Sequence, residues 1–559
     1  MTDPVTTAVV GSVLNAIVGE MNEALKRSSY SPIIREMLDF SCALFSSDGE
    51  TIAQDENIPA LLGSMAYALP ALLEDNADEP IRPGDMFIGN NPYRGGTHTP
   101  DIHIFAPIFH EGTIVAWAGN LAHHTDVGGT NPGTEGFANQ SIFEEGVIYP
   151  YVKLMEQERL NRTILRIMET NVRDPQTNLG DLRAQIAAAR LGVRRFGELI
   201  DKYGTERIGE VVRQRLSQGE ARIRRKLSDC PDGRASATGY LDNDGLGGPP
   251  QKIQVTVEVR GDELHVDFTG TDPQMPGGMN CSHTAALAAI IFGVKAVIDP
   301  DGEQTAGCVR PIRTNLPTGT LVNPDYPAAV SLRHLASQRI TDTLIRALSQ
   351  IYPAVNVAGS FVGFSSLAAE GRDPHTGRTV VMADDLGGGM GGYSGGDGLD
   401  TVDTYLGNVG ILPAEICERQ YPIRIVSTEL MPDSGGAGEF RGGLGMRRVY
   451  EFLDHCDVVF YTEQTNPKYA PWGRERGHVG EPASLTLVRR DGDRRTITKD
   501  RILVDPGDRM VTITGGGGGY GDPKRRRRDA VLRDLREGKI SREAAIEVYG
   551  MVPDQAARR

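Results

Sequence analysis

Cysteine is scarce and scattered. Cys42, Cys230, Cys281, Cys308, Cys417 and Cys456 are the only six in 559 residues, never closer than 27 apart. No CxxC exists, which excludes a cysteine-rich zinc site or a thiol–disulfide motif built from local sequence. A phosphate-binding P-loop is also missing. "TGGGGGYG" (514–521) lacks the required lysine and hydroxyl, "GGGMGGYSGG" (387–396) fails in the same way, and neither sits in a Rossmann frame. Both runs read as structural or active-site loops, with an anion cradle as the alternative. Gly-x-Ser-x-Gly occurs only inside the second glycine run, at 392–396, and does not read there as a nucleophile elbow. No stretch of eighteen uncharged apolar residues occurs, and Glu20 and Glu23 interrupt the apolar N-terminus, which therefore does not read as a signal peptide. A cytoplasmic protein is expected, with no membrane partner. Positive charge is in deficit: the net charge is −15, which disfavours nucleic acid as a partner. The one basic run, "KRRRR" (524–528), reads as the solvated start of a C-terminal helix.

What is abundant is glycine, 67 residues in 559, well above the typical ~7%. The length implies several domains. Asp3-Pro4 is a helix start, and Val10, Leu14, Ile17, Val18, Met21 and Leu25 give the following helix one buried stripe. "FSCALFSSDGETIAQ" (40–54) predicts a hairpin turning at Asp48-Gly49, with Cys42 in its core and Asp39 just before it. A short helix is expected over 63–75. A second hairpin, "DIHIFAPIF" and "TIVAWAGN", turns at Glu111-Gly112, and a long polar loop follows it. Helices are expected over 156–228, 283–299, 338–352 and 542–550, short strands over 234–270, and glycine-rich strands over 380–520. The fold class is mixed α/β (α+β) and multidomain, helical in the N-terminal and middle regions and glycine-rich β-strand toward the C-terminus. The expected division is 1–155, a metal-site region with two hairpins; 156–230, helical; 231–380, mixed α/β; 381–520, glycine-rich β; and 521–559, a helical tail.

"GGTHTPDIHIF" (95–105) concentrates histidine and aspartate, and "HHTD" (123–126) repeats the pattern. With a two-residue turn at Glu111-Gly112, paired positions in the second hairpin sum to about 223. Asp101 then faces Ala122 and Pro100 faces His123, so His98, Asp101 and His123 meet at the open end of the ladder. Successive side chains alternate faces, so His123 and His124 do not serve one ion: one ligates, the other faces substrate or packs. His103 lies further down the face of Asp101. The ligand set is His98, Asp101 and His123, with Asp39 as a fourth candidate. Two imidazoles with one or two carboxylates suit zinc, manganese or ferrous iron better than calcium. The rival is a loop whose histidines are satisfied by hydrogen bonds.

The ordered segments "REMLDFSCALFSSDGETIAQ", "GDMFIGNNPYRGGTHTPDIHIFAPIF", "NLAHHTDVGG", "EEGVIYPYVKL", "NVRDPQTNLGDLRAQIAA", "DSGGAGEFRGGLG" and "GGGGYGDP" resemble the hydantoinase B family. Its relatives include B subunits of N-methylhydantoinase and caprolactamase, the C-terminal half of 5-oxoprolinase, and subunits of acetone and acetophenone carboxylases. The likeness spans about residues 5 to 550 and implies a hydantoinase B-like fold. It also implies metal ligands at His98, Asp101 and His123, and a carboxylate at Asp39. One departure falls in "DENIPALLGSM" (55–65), where relatives often carry histidine at the positions of Asn57 and Leu61. Those positions are expected to shape the substrate side of the site.

The resemblance implies a metal-dependent B subunit of an ATP-dependent cyclic amide hydrolase, acting on hydantoin, 5-oxoproline or a lactam. ATP would be used through a partner, a hydantoinase A-like ATPase subunit of actin-like fold, in a heteromer such as A2B2. This chain would receive the phosphorylated intermediate, with His124, Asp126 or Glu145 moving protons. The alternatives are a subunit of an acetone- or acetophenone-type carboxylase taking a ketone, and a non-catalytic scaffold.

Overall fold

The computed structural model describes residues 3–551 apart from 56, 353 and 354, and only the backbone of residue 62. The chain forms two compact units, Met1–Ala235 with Val255–Ser337, and Ser236–Gln254 with Gln338–Arg559. The architecture is mixed α/β, helical in the N-terminal and middle regions and β-rich toward the C-terminus.

The first unit is built on helix α1 (Pro4–Ser28), strands β1 (Phe40–Ser46) and β2 (Thr51–Gln54), helix α2 (Pro59–Asp75), and strands β3 (Met86–Gly89), β4 (Asp101–His110), β5 (Thr113–His123), β6 (Val152–Glu156) and β7 (Arg159–Leu160). Helices α3 (Arg162–Asn171), α4 (Pro175–Tyr203), α5 (Thr205–Ser228) and α6 (His283–Ile298) follow. The strands make one sheet ordered β2-β1-β5-β4-β3-β6-β7, every neighbouring pair antiparallel. Helix α1 begins where Asp3 accepts the Val5 and Thr6 amides, the N-cap that Asp-Pro specifies. Its stripe of Val10, Leu14, Ile17, Val18, Met21 and Leu25 is fully buried, clustering with Phe40, Cys42, Leu44, Ala118 and Ala122 of the sheet and with Phe196 and Leu199 of α4. The even-numbered residues of β4 (Ile102, Ile104, Ala106) cluster with Leu182, Ile186 and Ala189 of α4. One face of the sheet is therefore an apolar floor for α1 and α4, while the odd-numbered face of β4 carries Asp101 and His103 at the open end of the hairpin, ahead of Phe105 and Pro107.

Both expected hairpins form, and the first turns at Gly49 in the left-handed region, φ 89°. The second differs in register. Pairing starts as expected, His110 with Thr113, but a bulge leaves Val115 unpaired and Ile108 faces Ala116. Beyond it Asp101 faces His123, not Ala122. The extra residue reverses which side chains of β5 share a face with Asp101. Helix α2 starts four residues before the expected 63, and the helix expected over 338–352 starts earlier, at Arg333.

The second unit holds a four-stranded sheet, ordered Thr379–Leu386, Ser365–Arg372, Cys456–Thr462, Lys499–Val504. Its five-stranded sheet is ordered Ile423–Leu430, Met446–Phe452, Arg509–Ile513, Ser484–Val488, Arg494–Ile497. The glycine runs lie side by side as extended segments bonded backbone to backbone. Gly389 donates to Gly515 (3.0 Å), Gly517 to Gly443 (2.9 Å), Gly443 to Met390 (2.7 Å), Gly436 to Gly517 (2.8 Å) and Gly518 to Gly359 (2.8 Å). The amides of 516–519 are thus spent on neighbouring carbonyls, which leaves no anion cradle there. The backbones are so close that a Cβ on Gly517 would overlap the Met390 carbonyl, and one on Gly442 that of Gly517. Glycine is required here by proximity. The basic run is only partly solvated: the buried Arg526 guanidinium grips Asp397 (2.6 and 2.8 Å) and Asp534 (2.6 Å), because burying a guanidinium requires carboxylates around it. All six cysteines are buried, and none is in a disulfide.

Substituting Gly517→Ala should lower the melting temperature, at a cost of about 1–3 kcal/mol or more. Gly197→Ala, in α4 with nothing within 4 Å of its Cβ position, should raise stability by about 0.5–1 kcal/mol. Thermal denaturation of the two variants beside wild type checks the pair.

Candidate metal centre

The loop ahead of β4 is held from several sides. Gly95 sits at φ 94° with no room for a Cβ against Ala68 of α2. Ser282, the N-cap of α6, donates to the Thr97 carbonyl (2.9 Å). Asn90 donates to the carbonyls of Thr99 (2.6 Å) and Val147 (2.9 Å). From this loop His98 turns back over the end of β4, and the bulge at Val115 delivers His123 to the same face as Asp101. Between Asp101 and His123 no backbone bonds are exchanged, since the His123 amide donates to Asp39 and the Asp101 amide to His98. This is the arrangement that brings facing side chains closest.

Three ligand atoms result. His98 Nε2 lies 3.2 Å from His123 Nδ1 and 3.2 Å from Asp101 Oδ1, and His123 Nδ1 lies 3.3 Å from Asp101 Oδ1. A tetrahedral shell with bonds of about 2.0–2.1 Å has ligand–ligand edges of about 3.3–3.4 Å, so this near-equilateral triangle is the size of one face of a coordination shell. His98 Nδ1 donates to the Ser331 carbonyl (2.8 Å), which fixes the tautomer and leaves the Nε2 lone pair facing the triangle. Asp101 divides its oxygens: Oδ1 faces the histidines, while Oδ2 accepts from Arg333 (3.0 Å) and Thr97. The triad is a potential divalent metal site.

Charge explains the chemistry of each ligand. Burial first, and then the Arg333 charge, push His98 down to about 4, so it is neutral as a ligand must be. Burial opposes the Asp101 charge, but His98 and Arg333 overcome it and hold the carboxyl well below its ordinary value. His123 is raised to about 9: burial disfavours its charge, and the Asp101 hydrogen bond with the charges of Asp39, Asp101 and Glu135 outweighs that cost. The pocket thus holds a positive charge in place, as a proton when no cation is bound.

Asp39 is close but set apart, its Oδ2 3.8 Å from His123 Nδ1. Leu38 before it has φ 64°, a left-handed turn costing a non-glycine residue about 1–3 kcal/mol; its effect is to carry the chain from the Pro32–Arg35 helical turn into β1 with Asp39 beside His123. The remaining sequence-selected residues are engaged elsewhere. His124 faces the opposite side, its ring nitrogens 3.0 Å from Asn178 Oδ1 and 2.9 Å from Gln185 Oε1 of α4. Asp126 pairs with Arg173 (2.7 Å) and accepts its amide (2.8 Å). Glu145 Oε1 accepts the amides of Val330 (2.7 Å) and Ser331 (2.8 Å). His103 is buried, its ring stacked 5.8 Å from that of Phe105.

Sequence reasoning missed the segment "SLRH" (331–334) and Glu135. Ser331 holds His98, Arg333 holds Asp101, and His334 lies near enough to feel the charges of Arg333, His98 and His123, which with burial keep its ring far below its ordinary value. An arginine and a histidine together inside the otherwise apolar "AAVSLRHLA" (328–336) were the available signal.

Residues 3–523 match the Hydantoinase B/oxoprolinase family. The chain is 33% identical over 570 residues to the B component of a putative D-/L-hydantoinase of Pseudomonas sp. (strain NS671), covering 98% of this chain and 95% of that one. Its fold matches the crystal structure of ATP-dependent caprolactamase from Pseudomonas jessenii with a TM-score of 0.93 and 32% identity, over 99% of this chain and 97% of that one. Acetone carboxylase, in a nucleotide-free structure, matches with a TM-score of 0.90 and 21% identity, over 98% of this chain and 80% of that one; this likeness is of fold alone. The family match over residues 3–523 and the likeness in sequence and fold along the whole chain agree, and this chain belongs to the hydantoinase B/oxoprolinase family.

Proposed function

We propose that this chain is the metal-dependent B subunit of an ATP-dependent cyclic amide hydrolase, acting on a hydantoin, 5-oxoproline or lactam ring. The observation that carries the reading is the triangle of His98, Asp101 and His123, in a chain similar over its whole length to a hydantoinase component and a caprolactamase. Amide resonance and an unstrained ring make such substrates resistant to water. Phosphorylation of the amide oxygen by a partner ATPase of actin-like fold would open the ring carbon to attack, and this chain would receive the product of that step in a heteromer such as A2B2.

A zinc, manganese or ferrous ion held by His98 Nε2, His123 Nδ1 and Asp101 Oδ1, with Asp39 beside them, would supply Lewis acidity toward water and toward a carbonyl or phosphoryl oxygen. The protein's own groups do the rest. Ser331 orients His98; Arg333 and Thr97 orient Asp101. Glu145 acts through the 330–331 backbone as a positioning residue, while His124 and Asp126 anchor the segment after β5 to α4 and to Arg173. The deep burial of the triad keeps bulk water from a reactive intermediate. The carboxylase reading has only a likeness of fold behind it.

The purified chain should bind about one divalent ion, lost in the His98→Ala/Asp101→Ala double variant; metal-free protein that still binds its partner would favour a scaffold. Reconstituted with its ATPase partner, it should open 5-oxoproline, a hydantoin or a lactam with ATP and without bicarbonate. Bicarbonate-dependent consumption of acetophenone would favour the carboxylase, and turnover by the isolated chain without ATP would remove the partner from the mechanism. Burial first, opposed by the Ser331 and Val330 amides and aided by Glu135 and Glu144, raises Glu145 from 4.5 to about 8. Between those values the folded chain holds a proton that the unfolded chain has lost, so stability falls as pH rises. Glu145→Gln, which keeps an acceptor for both amides, should flatten that decline when urea midpoints are compared across the window.

A further inference from the structure

The second unit contains a cavity of about 650 Å³ whose walls include Thr238, Gln254, Arg346, Trp472 and Arg474. Among the described residues no acidic side chain lines it, in a chain of net charge −15. Its polar wall includes two guanidiniums. Thr238 donates to Gln254 Oε1 (2.7 Å), which fixes that amide in the wall. Arg474 donates to the Ser349 hydroxyl (2.6 Å) and carbonyl (3.3 Å), neither of which carries charge. Arg346 lies over the Trp472 ring, 5.0 Å from its centre. Neither guanidinium has a carboxylate within ion-pair distance among the described residues. Arg474 sits below its ordinary pKa, through burial first, with Arg346 acting in the same sense against the charge of neighbouring Glu475.

Two guanidiniums line one cavity with no carboxylate in ion-pair contact with either; the acids whose charge reaches them, Asp342 and Glu475, lie outside its wall. We propose that this cavity binds a phosphate-bearing small molecule, its phosphoryl group between Arg346 and Arg474. Two arginine forks match the several oxygens of a phosphate. The volume exceeds what bare phosphate needs and lies in the range of small-molecule sites, so the phosphate belongs to a larger body, for which the Trp472 indole offers a wall. The assignment is independent of the metal centre.

Trp472 reports on its own site, because the only other tryptophan, Trp117, is fully buried in the sheet of the first unit. The full-length chain is titrated with ADP, inorganic phosphate and citrate while tryptophan emission is followed. ADP and phosphate should give saturable changes that weaken with added salt, ADP at the lower concentration. Arg346→Gln, at an exposed position that risks little in folding, should raise the dissociation constant about tenfold or more, and Arg346→Lys less. Arg474→Gln should do the same, with its melting temperature checked because Arg474 also holds Ser349. No saturable response to ADP or phosphate, a response to citrate alone, or affinity unchanged in Arg346→Gln overturns the proposal.

Discussion

One residue without a partner, Val115, sets the register on which the metal centre depends. Strand side chains alternate with a period of two, so a ladder paired without that bulge would put Asp101 opposite Ala122 and turn His123 toward the helices. With the bulge, His123 joins Asp101 on one face and His124 takes the other, between Asn178 and Gln185. Two adjacent histidines thereby acquire opposite places from backbone geometry alone: one joins the potential metal-binding triad, the other ties the sheet to α4.

A cluster of buried charge needs compensation, and here it comes from distant parts of the chain. Arg333 balances Asp101, the Ser331 carbonyl accepts a hydrogen bond from His98 Nδ1, and Glu145 holds the 330–331 backbone. These contacts cross long stretches of sequence, so the triad is complete only when the segment before the Arg333–Ile351 helix docks beside β4. The result is a site whose geometry is set before anything binds, which reduces the ordering cost of binding.

Much of this was legible. Strong local signals, the Asp3-Pro4 cap, Asp48-Gly49 and Glu111-Gly112, put the helix start and both hairpins where they occur, and the same hairpin logic selected His98, Asp101 and His123. A bulge has no dependable sequence mark, since any residue can be the extra one, and the register was off by that one residue. Arg333, His334 and Glu135 escaped because their roles arise from tertiary contacts that no spacing encodes. Arg526 misled for a related reason: its place in a basic run suggests solvent, whereas Asp397 and Asp534 draw it inside.

The interleaved glycine segments carry a consequence for how the molecule is made. Residues 388–391 and 435–443 bond to each other through Gly443 and Met390, but Gly389, Gly436 and Gly443 also bond to 515–517, so on a ribosome the seam cannot close until the last glycines emerge. Closure joins stretches far apart in sequence, and glycine surrenders more chain freedom than any other residue when it is fixed. The seam should therefore be late to form, and once formed its amides should exchange slowly with solvent although they belong to no regular strand.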